Sequence, residues 1–91
     1  MTTFSEIIIS VVSDLNQGGF SNDASELQRL AELVSDQTVL PDVRKDALKQ
    51  IEMRCHIKWF GDLYLSHLSQ KDWWGRLEKL GRITKKHMQS I

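Results

Sequence analysis

The stretch "SQKDWWGRLEKLGRITKKHMQSI", Ser69 to Ile91, sets the fold class. On a helical wheel of roughly 100° per residue, Trp73, Leu77, Leu80, Thr84, Met88 and Ile91 fall within one narrow arc. Arg76, Lys79, Arg82, Lys85 and Lys86 occupy the opposite side. The pattern is that of an amphipathic helix with a basic back, so it needs apolar neighbours to cover its stripe. Ser69 and Asp72 have capping-box spacing and mark its start. Gly81 lies at the edge of the apolar arc, where a missing side chain suits the close approach of another helix.

Working back from this helix, the same period recurs three times. Pro41 suits a first helical turn and opens a segment whose stripe is Ala47, Leu48, Ile51 and Cys55. That segment is expected to stop or bend near Gly61, with a short helical piece over 62–68 before the last helix. Further upstream, Asp23 and Glu26 have capping spacing, and Ala24, Leu27, Leu30, Ala31 and Val34 share a face. The first helix is expected from Thr3, capped reciprocally with Glu6. Phe4, Ile8, Val11 and Leu15 form its stripe, and Gly18-Gly19 ends it. No segment alternates in the manner of a strand. The expected architecture is all-α: one domain spanning 1–91, a compact bundle of four main helices plus a short helical segment.

Composition agrees with a globular chain. Hydrophobic residues make up 41% and charged residues 26% of the 91 positions, which argues against disorder. No apolar run approaches the roughly 20 residues of a membrane span. "IIISVV" lacks a basic leader and is flanked by Glu6 and Asp14, so a secretory signal is not expected. A single cysteine forms no internal disulfide, and a cytoplasmic setting is expected.

The zero net charge hides a division. Residues 1–42 carry seven acids and one base, and residues 43–91 carry eleven bases and five acids. Such asymmetry points to a charged partner or to attraction between the two halves on folding.

The aromatic residues are concentrated as well. All three tryptophans and the one tyrosine lie in Lys58–Leu77, where Trp59-Phe60-Gly61 is echoed by Trp73-Trp74-Gly75. Trp59 near the end of the third stripe and Trp73 at the start of the fourth are expected to meet and seal the corner between those helices. Trp74, at the boundary of its arc, and Phe60, facing away from its stripe, are the candidates for exposure. Ile9, Leu33, Met53 and Ile57 also fall on or outside the edges of their stripes.

Chemistry is sparse. Cys55, His56, His67 and His87 lack paired metal-ligand spacing, so no metal is expected. A set of Cys55, His67 and Asp62 has no oxyanion element to work with. Gly18-Gly19 ends a helix rather than opening one, so it cradles no phosphate. No catalytic residue and no cofactor are expected.

What remains is binding. The leading expectation is a non-enzymatic protein-binding module, in the format of a bacterial immunity protein that neutralises a basic, nuclease-like toxin. The expected contact residues are Asp14, Asp23, Glu26 and Glu32 on an acidic helical face, together with Ile57, Phe60 and Trp74. The alternatives are a nucleic-acid-binding or regulatory protein using the basic last helix, and a homodimeric or homo-oligomeric adaptor.

Overall fold

The computed structural model describes residues 2–56 and 58–90. It contains four α-helices: α1 (Phe4–Gln17), α2 (Ser21–Ser35), α3 (Pro41–Arg54) and α4 (Gln70–Met88), with one 3-10 turn at Phe60–Asp62. No strand occurs among the described residues. Each helix packs on its predecessor, and α4 closes the ring on α1. One core results, built from Ile8, Val11, Leu15, Leu27, Leu30, Leu48, Ile51, Phe60, Trp73, Leu77, Leu80 and their neighbours.

The α1 termini follow the expected chemistry. Glu6 donates its backbone N–H to Thr3 Oγ1 at 3.2 Å, and Thr3 donates its own to Glu6 Oε1 at 3.2 Å. At the other end, Phe20 N–H bonds to the Leu15 carbonyl at 2.8 Å and Gly19 N–H to the Asn16 carbonyl at 3.2 Å. This is a Schellman arrangement, and Gly19 supplies the left-handed residue it requires, at φ 89°. Gly18 is needed for space instead: a Cβ there would lie 3.0 Å from Leu65 Cγ.

α2 starts earlier than its capping signal suggests. Phe20 occupies the N-cap with no side-chain hydrogen bond, which puts Asp23 inside the first turn, so Asp23 and Glu26 form no capping box. The Schellman turn hands the chain directly into α2, and the reversal from α1 thus fixes the start. At its far end, Arg44 of α3 donates Nε–H to the Val34 carbonyl at 3.0 Å, satisfying an end group of a helix with no basic residue in its own last turn.

The largest departure from the sequence reading lies between α3 and α4. α3 stops at Arg54 rather than near Gly61, and the helical piece is the turn Phe60–Asp62 rather than 62–68. A continuous helix would have pointed Phe60 about 180° away from Ile51. Ending the helix early turns Phe60 into the core at 0% exposure, while Trp59 is 43% exposed. Burying a phenylalanine side chain contributes roughly 1.5–3 kcal/mol, enough to decide a local choice of this kind. The expectation that Trp59 and Trp73 seal the corner is therefore corrected: Phe60 partners Trp73.

α4 buries the first four residues of its expected stripe, Trp73, Leu77, Leu80 and Thr84; Met88 is half-buried, and Ile91 lies outside the described residues. Thr84, fully enclosed, donates its hydroxyl to the Leu80 carbonyl at 2.7 Å, so the polar group is satisfied within the helix. Ser69 Oγ accepts the Asp72 N–H at 3.2 Å and caps the start. Gly81 faces Cys55, but a Cβ there would sit 3.6 Å from the Cys55 Cβ, ordinary contact that does not require glycine.

Candidate protein-contact site

The tandem tryptophans clamp the 3-10 turn. Trp73 donates its indole N–H to the Phe60 carbonyl at 2.8 Å, in the core, and Trp74 donates its own to the Gly61 carbonyl at 3.0 Å, nearer the surface. Consecutive residues on α4 thereby hold consecutive carbonyls of the turn. The clamp leaves Trp74 38% exposed, in agreement with its place at the edge of the arc. Phe60, expected as an exposed contact residue, is enclosed and is withdrawn from the site. Ile57 lies outside the described residues.

The acidic face is also reduced. Asp14 is buried at 6% exposure and forms an ion pair with Arg76 of α4. Its Oδ1 lies 3.2 Å from His67 Nε2. A carboxylate only accepts, so Nε2 is the N–H of that ring. His67 Nδ1 is then enclosed without a hydrogen-bond partner among the described residues. Asp14 therefore ties α1 to α4 and to the connection before it, and it is corrected from a surface carboxylate to an internal one. On the wheel it sits beside Ile7, on the flank of α1 that α4 covers. That flank is invisible to a reading of α1 as a one-sided helix.

Glu26 is engaged too, by Arg29 at 2.5 Å and by Arg54 at 3.8 Å. The Arg29 hydrogen bond is the main reason its carboxyl is held below the ordinary range, and the charges of Arg29 and Arg54 add to it. Two of these ion pairs, Asp14–Arg76 and Glu26–Arg54, join the acidic first half to the basic second half, so part of the charge asymmetry is spent inside the molecule. Of the four expected carboxylates, Glu32 is exposed and Asp23 half-buried.

Several large apolar side chains also stay open on the surface. Ile9, Leu40, Val43, Met53, Trp59, Tyr64 and Trp74 are exposed large side chains. Four of them, Met53, Trp59, Tyr64 and Trp74, belong to the end of α3, its connection to α4, or the start of α4. Trp59 is held in place by Arg54, whose guanidinium carbon lies 4.7 Å from the ring centroid. With Met53, His56 and Lys58 it lines a shallow hollow of about 570 Å³. Tyr64, 81% exposed, was not singled out from the sequence, and the aromatic concentration in Lys58–Leu77 was the signal available for it.

Reactive groups offer little. Burial pushes the Cys55 thiol up to about 12, with the Glu52 charge adding to the effect, and the thiol donates a hydrogen bond to the Ile51 carbonyl at 3.3 Å. Such a thiol is a poor nucleophile. Among the described residues no three His, Cys, Asp or Glu side chains are grouped to hold a metal ion. None of the helices described is long and apolar enough to cross a membrane.

No protein-family model matches the chain, and no curated protein or solved structure matches it either.

Proposed function

We propose that this chain is a non-enzymatic protein-binding module whose contact surface is the apolar corner of Met53, Trp59, Tyr64 and Trp74. The observation that carries the reading is the exposure of these four side chains beside a core that has already enclosed Phe60 and Trp73. Aromatic residues and methionine are enriched in protein interfaces, and Met53 and Trp59 share one hollow that a partner side chain can cover. An immunity-type inhibitor of a basic toxin falls within this class, but its carboxylate set shrinks to Asp23 and Glu32 once Asp14 and Glu26 are paired with arginines of the same chain. The test is affinity purification of the full chain from its native host, followed by binding measurements with the purified partner. A Trp59→Ala/Tyr64→Ala variant is expected to lose at least about tenfold in affinity. A partner indifferent to the corner variants refutes the reading.

A second reading is supported by the basic back of α4. Lys79, Arg82, Lys85 and Lys86 have no carboxylate within ion-pair distance among the described residues. Submicromolar binding of a DNA or RNA duplex, steeply weakened by salt, would favour nucleic acid over protein.

A further inference from the structure

We propose that the groove between α1 and α2 takes a lysine or arginine side chain of a protein partner, with its methylene stem against Ile9 and its charged head on Glu32. This contact rests on the protein-binding reading of the chain, but it shares no residue with the corner of Met53, Trp59, Tyr64 and Trp74.

The groove follows from small residues on facing helices. Ser5 on α1, with Ala31 and Ser35 on α2, leaves a hollow of about 220 Å³. Phe4 and Ile8, both nearly enclosed, line it from the core side, and Ile9 borders it at 66% exposure. A lone exposed isoleucine is ordinary, but this one stands beside a hollow whose other apolar walls are Phe4, Ile8 and Ala31. The volume falls below the roughly 300–1,000 Å³ of small-molecule pockets and suits a single side chain.

The charge of the groove has one sign. Ser5, Gln28 and Ser35 are neutral, and Glu32 is the one ionised side chain lining the hollow among the described residues. Glu32 is exposed and forms no ion pair among the described residues. Gln28 donates to its Oε1 at 3.3 Å, which leaves Oε2 open to another donor. The arginines bound to α2 are engaged elsewhere, Arg29 and Arg54 by Glu26 and Arg44 by the Val34 carbonyl. A lone carboxylate beside an apolar wall fits a side chain that is apolar along its length and cationic at its tip, which describes lysine and arginine. The same carboxylate repels phosphate, so the groove does not suit a nucleic-acid backbone.

The test is selection of short random peptides against the immobilised full chain, followed by affinity measurement of the enriched sequences on wild type and variants. A class of enriched peptides is expected to share a lysine or arginine. These should bind Glu32→Lys at least about tenfold more weakly and Ile9→Ala about threefold more weakly than wild type, and salt should weaken them further. The same peptides should bind Trp59→Ala/Tyr64→Ala as tightly as wild type, which separates the groove from the corner. All four substituted side chains are exposed, and circular dichroism of each variant checks that the fold is intact. Enriched peptides without a cation, or cationic peptides that bind Glu32→Lys and Ile9→Ala as tightly as wild type, overturn the groove proposal. If those peptides lose affinity for Trp59→Ala/Tyr64→Ala instead, the corner reading stands alone. If no peptide is enriched, the groove proposal falls as well. Sedimentation of the chain by itself covers the remaining occupant: a dimer that Glu32→Lys dissociates would put a second copy in the groove and overturn the proposal of a separate partner.

Discussion

Replacing each of the paired tryptophans by phenylalanine separates a buried hydrogen bond from a surface one in otherwise matched positions. Trp73→Phe removes the indole donor from the Phe60 carbonyl in the core, where Trp73 is 1% exposed, and leaves that carbonyl with the Leu63 N–H at 3.1 Å. Losing one of the two hydrogen bonds to this buried acceptor costs about 0.5–1.5 kcal/mol, and the smaller ring adds a void worth about 1 kcal/mol, for a total of roughly 1.5–2.5 kcal/mol. Trp74→Phe removes a bond of similar length, but near the surface, where water can replace the donor. Its expected cost is about 0.5–1.5 kcal/mol. With a urea slope of about 1 kcal/mol/M for a chain of this size, the midpoint should fall by about 1.5–2.5 M for Trp73→Phe and about 1 M for Trp74→Phe. Far-UV circular dichroism is the right probe, because tryptophan fluorescence changes with the substitution itself. Trp73→Ala, at about 3–5 kcal/mol, should bring a domain of about 5–15 kcal/mol total stability close to unfolding. Equal midpoints for the two phenylalanine variants would refute the argument, since burial makes the lost bond and the void together costlier at Trp73.

Other substitutions probe the rest of the frame. Asp14→Asn is expected to destabilise by about 1–3 kcal/mol, a range kept low because Arg76 is 40% exposed and its charge is screened. Glu26→Gln, on the surface, should leave the melting curve close to wild type; comparable losses for the two would remove the distinction between internal and surface pairs. Native Cys55 should react with iodoacetamide far more slowly at pH 8.5 than it does in denaturing urea. Because its folded value is raised from the ordinary 9.0 to about 12, its contribution to stability is present below pH 9 and lost as pH climbs through that window. Cys55→Ala should therefore show a flatter urea midpoint than wild type over the same range. Gly75→Ala, with no atom within 4 Å of the added Cβ, should stabilise α4 by about 0.5–1 kcal/mol, whereas Gly18→Ala should lower the melting temperature by pressing on Leu65.

The candidate site was only partly legible from the chain. Periodicity identified Ile9, Met53 and Trp74 as lying off their stripes, and all three are exposed, whereas Leu33, read the same way, is half-buried against the core. It failed for Phe60 and Asp14, for one shared reason. A helical wheel assumes that the helix continues and that a single face is covered. Phe60 violates the first assumption, because α3 has already ended at Arg54. Asp14 violates the second, because α1 is covered by α2 on one side and α4 on another. Trp59 was misplaced by the same assumption of continuity.

The four helices were determined by the sequence itself. Their apolar periods, the Thr3–Glu6 box, Gly18-Gly19, Pro41 and Ser69 act over a few residues, and local hydrogen bonds and dihedral preferences can be read without knowing the neighbours. What only the tertiary structure decided is the course of the chain from Cys55 to Ser69 and the fate of the charges. No breaker stands between Pro41 and Gly61, so the end of α3 depends on whether Phe60 gains more by entering the core than the helix loses by stopping. That balance exists only once α4 is in place with the Trp73 indole N–H positioned to donate to the Phe60 carbonyl. Likewise, Asp14 becomes internal only because Arg76 and His67, more than fifty residues away in the chain, are folded against it.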